Sequence, residues 1–312
     1  MALISADRIS PAPPAKDRMA PSRRERRRAR RAYLLLLPTA ILLVLVIGYP
    51  TIWAIGQSLF SDTLGQAPAF IGLGNYANAL WGQQSPQFWR AVGDNAFFAV
   101  ACSAIELVLG VGMALLLNNL KRFRGVLRSF VLVPWAIPTA VGAVLWQYML
   151  QPTGIVNAIL GHEVLWTAGQ WTPRIAIVII DVWKTTPFIG LLVLAGLQVI
   201  PDEVYEAAKV DGAGAWKRFI WVTLPLARPA ILVALLFRLL DLLRLYDVPS
   251  ILTNGANDTQ TLSLFTYQNA ISQVKTGYGS ALSTLTFIII FAFAFLFIRI
   301  TGARAMGVGR ER

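Results

Sequence analysis

Apolar residues in this chain come in long blocks divided by polar stretches, and six blocks approach the roughly 20 residues that a helix needs to cross hydrocarbon. They run from Tyr33 to Trp53, Asn95 to Leu117, Phe130 to Leu150, Ile175 to Leu197, Pro229 to Val248 and Leu282 to Ile300. A backbone in lipid must satisfy its hydrogen bonds internally, so blocks of this length predict helices. The expected fold class is an all-α integral membrane protein with six spans, the fifth being the least apolar. Residues 1–32 read as a disordered basic tail rich in Pro, Ser and Arg. Residues 33–300 form the spanning domain, and 301–312 a short C-terminal tail. The first block is too long for the core of a signal peptide and reads as an anchor.

Composition agrees: 56% of residues are hydrophobic, 14% are charged and the mean hydropathy is +0.58. A net charge of +12 raises nucleic acid as a partner. The basic residues form no continuous stripe, however, but short clusters between apolar blocks, which excludes that reading. Their distribution sets orientation instead, because cytoplasmic loops carry the excess of Lys and Arg. Ten lie in the tail before residue 32, and four each follow the second, fourth and sixth blocks; the opposite side carries Arg90, Arg174 and Lys275. Both termini are therefore expected in the cytoplasm. The segments Ala54 to Asp94 and Pro249 to Gly279 then lie outside, long and polar enough to bear a partner protein or to serve as plain connections.

The cytoplasmic segment from Pro201 to Pro229 is patterned as structure. Pro201, Asp202 and Glu203 suit the start of a short helix, and Asp211-Gly212 suits its end near Val210. A second short helix from Ala215 to about Val222 would present Trp216, Phe219 and Ile220 before Pro225 breaks it. Ala207 and Ala208 permit close approach of another backbone, and Glu206 offers a charge. Two uses stand open on physical grounds: docking of a partner protein, or lying on membrane lipid with Lys209, Lys217 and Arg218 at headgroups.

Here the chain resembles a known family. Glu206-Ala-Ala-x-x-Asp211-Gly212-Ala213, followed by Phe219, Leu224-Pro225 and Pro229, is similar to the EAA signature of binding-protein-dependent ABC importer permeases. Phe70-Ile-Gly-Leu-Gly-Asn-Tyr76, Pro134-Trp-Ala-Ile-Pro138, Asp181-Val-Trp-Lys-Thr-Thr-Pro-Phe188 and Leu194-Ala-Gly-Leu-Gln198 resemble segments of its carbohydrate branch, the maltose- and trehalose-type permeases. The resemblance implies a type I ABC importer transmembrane domain in a bacterial inner membrane. It also implies that the loop couples the permease to an ATPase, with Glu206 meeting a basic residue there. Implied partners are a homologous second permease, two ATPase subunits that use ATP and Mg, and an extracytoplasmic sugar-binding protein. The substrate class it implies is a di- or oligosaccharide such as trehalose or maltose, with glycerol phosphate as the alternative within the family.

Charges inside the spans need a reason, since one at mid-membrane costs about 2.5–3.5 kcal/mol on insertion scales. Arg238, Asp241, Arg244 and Asp247 recur every third residue in span five and form an expected self-neutralising ladder. Asp181 and Lys184 make a second pair in span four, with Pro187 beyond them as an expected kink. These groups either fix helix packing or face a hydrated cavity where sugar hydroxyls need matched donors and acceptors, with Tyr246 as a platform for a sugar ring. Asp94 and Glu106 are weaker candidates for the same role. An ion-coupled secondary transporter would use the span-five carboxylates differently, although no inverted repeat supports it.

Several chemistries lack their residues. The sequence contains no Gly-Lys pair, so it has no phosphate-cradling P-loop, and ATP hydrolysis is expected in another subunit. The single histidine, His162, and single cysteine, Cys102, offer no metal set and no catalytic triad. The chain itself is expected to be neither an enzyme nor a cofactor binder.

Overall fold

Helices account for most of the backbone in this computed structural model, which describes residues 23–62, 67–120 and 124–307. Among these the one β-type pairing is an isolated antiparallel bridge between Phe60 and Phe70. The chain divides into two units, Met1–Trp53 and Ala54–Arg312. In the first, α1 (Arg23–Leu43) passes through a π turn at Val44–Gly48 into α2, Tyr49–Gln57. The helix thus begins inside the segment expected to be a disordered tail, because Arg23 to Ala32 consists of good helix formers without Pro or Gly. The rest of that expected tail, residues 1–22, lies outside the described residues.

The second unit contains α3 (Gly74–Leu80), α4 (Ser85–Asn119), α5 (Arg124–Ala136), α6 (Thr139–Met149), α7 (Ile155–Leu160) and α8 (Thr172–Leu197). It continues with α9 (Asp202–Val210), α10 (Ala215–Arg218), α11 (Leu224–Leu242), α12 (Asp247–Leu252), α13 (Leu262–Tyr267) and α14 (Thr276–Gly307). Five described helical stretches are long and apolar enough to cross a membrane: Tyr33–Gln57, Ser85–Asn119, Thr172–Leu197, Ala215–Leu252 and Thr276–Gly302. The count reaches six when the bent pair α5 and α6 is taken as one crossing. With 35 residues, α4 is about 52 Å long at about 1.5 Å per residue, so it extends well past the hydrocarbon. At the other end α14 continues to Gly307, beyond the expected limit at Ile300.

Three expectations are corrected at prolines and turns. The expected third span, Phe130 to Leu150, is broken: α5 and α6 meet at 84° around Ile137-Pro138. A residue before proline is driven out of helical geometry, and Pro138 is itself extended (φ −53°, ψ 136°). Conversely, Pro225 does not stop the second loop helix. α10 runs through a π turn at Phe219–Thr223, closed by Leu224 N–H donating to Phe219 O, and continues as α11. The wider turn moves the preceding carbonyls away from the pyrrolidine ring. The same arrangement precedes Pro50, where Tyr49 N–H donates to Val44 O. Finally, α11 stops at Leu242 and the chain unwinds as far as Tyr246, inside what reads as span five. The helix α8, by contrast, runs without interruption through Pro187.

At the centre of the second unit α8 packs along α4, α5 and α11 and touches α6 and α12. Phe98, Cys102, Ile177, Ile180, Leu242 and Val248 form one core; Ala114, Ile189, Val193, Leu197 and Ala234 form a second. A third, with Ala79, Phe88, Leu262, Phe265 and Leu282, lies under the long connections. Small residues bring the backbones together, as helix association in lipid requires. A Cβ on Gly110 of α4 would come within 2.7 Å of Ile189 Cγ2, and one on Gly190 of α8 within 2.9 Å of Met113 Sδ.

Overpacking this seam should cost about 1–3 kcal/mol. Gly110→Leu should therefore lower the melting temperature of the purified full chain in detergent. Gly112→Leu, where an added Cβ meets nothing within 4 Å, should not. Equal melting temperatures for the two variants would contradict this packing.

Candidate functional site

Two constellations concern function: the α9–α10 loop and a buried ion network between α4, α8 and α11. In the loop, Asp202 and Glu203 occupy the first turn of α9 and Lys209 the last, charges that complement the helix dipole. The helix closes with Gly212 N–H donating to Lys209 O (3.0 Å) and Ala213 N–H donating to Ala208 O (2.9 Å). This paired termination needs a left-handed residue, and Gly212 has φ +76°. Asp211-Gly212-Ala213 thus sets the bend between α9 and α10.

Neither α9 nor α10 buries a single residue. Glu206, Ala207, Asp211 and Gly212 are exposed, as are Leu224 and Pro225, while Ala208, Ala213 and Phe219 are half-buried. Trp216 is 72% exposed and packs against Phe219 with ring centroids 5.6 Å apart. Trp221, which sequence reasoning did not single out, is 78% exposed. An exposed acidic residue, small side chains and two uncovered indoles thus follow one another along this segment, groups that suit a partner surface.

The second constellation is centred on Arg238 of α11, only 2% exposed. Its Nε donates to Glu106 Oε2 of α4 (2.5 Å), one terminal nitrogen donates to Asp241 Oδ2 (2.5 Å) and the other to Asp181 Oδ2 of α8. The Thr185 hydroxyl lies against Glu106 Oε1 and 2.6 Å from the Asp181 carbonyl. Glu106, a weak candidate in the sequence, is fully buried and occupies the middle of the network. The available signal was physical: a glutamate inside an apolar span requires a buried cation, and span five supplies one. Only Asp241 reaches outward, its side chain 65% exposed.

Among the described residues, the expected ladder holds at its first rung alone. Arg238 pairs with Asp241, but α11 ends one residue later, so Arg244 and Asp247 do not continue a helical row. Arg244 is exposed, and Tyr246 packs against Tyr267 with centroids 5.1 Å apart. The unwound carbonyls find side-chain donors: Asn95 Nδ2 donates to Leu242 O (3.2 Å) and Thr261 Oγ1 to Leu245 O (2.6 Å).

The expected Asp181–Lys184 pair is also replaced. Asp181 serves Arg238, whereas Lys184 Nζ donates to Ile137 O (2.8 Å) and Trp135 O (3.3 Å) at the break between α5 and α6. Bending there frees carbonyls from the helical ladder, and a buried ammonium caps them. The structure therefore brings Arg238, Asp241 and Asp181 together, and places Lys184, Arg244 and Tyr246 outside that network. Elsewhere, His162 is exposed and Cys102 is buried in the core.

Removing the guanidinium leaves buried carboxylates uncompensated, a loss of about 3–5 kcal/mol. Arg238→Met should thus sharply lower the melting temperature of the purified full chain, and adding Glu106→Gln should restore part of it. An unchanged melting temperature in Arg238→Met would contradict the network.

Comparison with known proteins matches residues 106–306 to the family described as binding-protein-dependent transport system inner membrane component. The trehalose transport system permease protein SugA of Mycobacterium tuberculosis is 40% identical over 282 residues, covering 89% of this chain and 91% of that protein. The trehalose/maltose transport system permease protein MalF of Thermococcus litoralis is 38% identical over 284 residues, covering 88% and 94%. Among solved structures, a chain of a bacterial ABC transporter involved in import of the acidic polysaccharide alginate superposes with a TM-score of 0.77. It is 22% identical, with 90% of this chain and 98% of that chain covered, a likeness of fold. With more than half of its length matched and relatives near 40% identity, this chain belongs to the binding-protein-dependent ABC importer permeases, the inner-membrane components of those transport systems.

Proposed function

We propose that this permease carries a di- or oligosaccharide such as trehalose or maltose, driven by ATP that separate subunits hydrolyse with Mg. The sugar class rests on the names of the relatives together with the resemblance of Asp181 to Phe188 and Leu194 to Gln198. The observation that carries the coupling is the α9–α10 bend, with Glu206 exposed on α9 and Trp216 exposed on α10. In this reading the loop faces the cytoplasm, as the Lys and Arg distribution favours, and both termini lie on the same side. Glu206, Ala207, Ala208, Asp211, Gly212 and Ala213 seat in a cleft of an ATPase subunit, supported by Phe219, Leu224 and Pro225.

A second, homologous permease completes the pathway, two ATPase subunits drive it and an extracytoplasmic binding protein delivers sugar. ATP binding closes the ATPase dimer. Because α10 is continuous with α11 through the π turn, displacement of the loop passes directly into span five and to Arg238. Asp241, outward-facing at the edge of the ion network, with Arg244 and Tyr246 in the unwound stretch, is positioned to meet sugar hydroxyls and ring faces. Asp181 and Lys184 then contribute by holding the helices that line the path.

Glu206→Ala and Gly212→Pro should each reduce sugar uptake by the assembled transporter at least tenfold while leaving membrane insertion intact. Proline cannot adopt the φ of +76° found at Gly212. Radiolabelled trehalose uptake into proteoliposomes checks this. Wild-type rates in both variants would overturn the docking role.

A further inference from the structure

The ion network does not neutralise itself. Glu106, Asp181 and Asp241 stand against Arg238 alone, which leaves an excess of two negative charges. Each of the three guanidinium nitrogens donates to a different carboxylate and the side chain is 2% exposed, so a ligand cannot reach this cation. Lys184 is also buried, its ammonium spent on the carbonyls of Trp135 and Ile137. Asp241 is the opposite case, with its side chain 65% exposed. The cations of this cluster are covered and one carboxylate is open.

Asp241 lies 12 residues into the apolar block that begins at Pro229, a rise of about 18 Å in a hydrocarbon layer about 30 Å thick. An exposed carboxylate at that depth cannot face lipid, and the hydrated path of a transporter is the space that suits it. Neighbouring charges do not reverse the sign. Lys184 interacts electrostatically with both Asp241 and Asp247, and Arg244 is exposed just beyond the end of α11. Counting these groups with the network gives three cations against four carboxylates.

A carboxylate accepts hydrogen bonds from sugar hydroxyls and repels an ionised group. Selectivity built in this way comes from penalising the wrong ligand as well as from holding the right one. We propose that Asp241 is a specificity-determining residue, which admits neutral di- and oligosaccharides to the path and rejects sugars carrying phosphate, sulfonate or carboxylate. The inference rests on the sugar reading above and sharpens it, because glycerol phosphate, the alternative within the family, falls in the rejected class.

The test uses the assembled transporter in lipid nanodiscs, without binding protein or nucleotide, titrated with trehalose and with trehalose 6-phosphate and followed by saturation-transfer NMR. Leaving out the binding protein keeps its own selectivity out of the comparison. Import of trehalose and maltose by the complete system is measured in parallel. Wild-type transporter should bind trehalose at least about tenfold more tightly than its phosphate. Asp241→Asn, which keeps the shape and one acceptor oxygen, should bring the two affinities to within about threefold. Asp241→Glu should keep the gap. In all three proteins Arg238 retains Glu106 and Asp181 as partners. Equal affinities in the wild type, an undiminished gap in Asp241→Asn or a lost gap in Asp241→Glu overturns the proposal, and import of either sugar then leaves the sugar reading intact. Absence of trehalose binding in a transporter that imports trehalose removes Asp241 from the path and overturns the proposal alone. Import of neither sugar overturns the sugar reading and the proposal with it.

Discussion

Arg238 is held where solvent does not reach it, and three membrane helices are positioned by that fact. Its guanidinium is shared by Glu106 of α4, Asp181 of α8 and Asp241 of its own helix. None of these charges is tolerable alone in hydrocarbon, so the helices that carry them must keep their register or leave a buried ion unpaired. The close seams at Gly110 and Gly190 bring α4 and α8 near enough for the network to form. Asp241, at its edge, is the point where a buried structural device meets an exposed surface.

The same constraint governs the backbone. Where α5 and α6 part at Ile137-Pro138, Lys184 takes the freed carbonyls; where α11 unwinds, Asn95 and Thr261 do so, and Gln147 reaches Ile251 O at 2.8 Å. Interrupted helices survive at membrane depth only with such substitutes, and they are a recurring source of ligand groups in transport proteins. The two π turns before Pro50 and Pro225 address the complementary problem by keeping a helix continuous through a residue that cannot donate. At Pro225 this continuity joins the exposed α9–α10 bend to the helix that carries Arg238.

The legible parts of the sequence were those governed by local rules. Block length gave the spans, and Pro201 with Asp211-Gly212 gave the limits of α9, because capping depends on neighbours a few residues away. The break in the third span was hidden because both halves are apolar and hydropathy carries no direction. Pro225 misled because a proline breaks an α turn but not the wider turn before it. Glu106 was undervalued, and the i, i+3 spacing of span five overvalued, for one reason: partners 57 to 132 residues apart in sequence decide where those charges go. Trp221 escaped notice because an aromatic residue near a span reads equally as a lipid-facing group.

Family membership and an exposed bend suited to docking support the proposal of a transporter whose energy arrives from another subunit. The most direct test is trehalose uptake by the assembled transporter in proteoliposomes, with protonophore and sodium ionophore present and with ATP supplied or withheld. The account predicts that uptake persists with the ionophores and stops without ATP. Uptake that continues without ATP and collapses with the ionophores would contradict it.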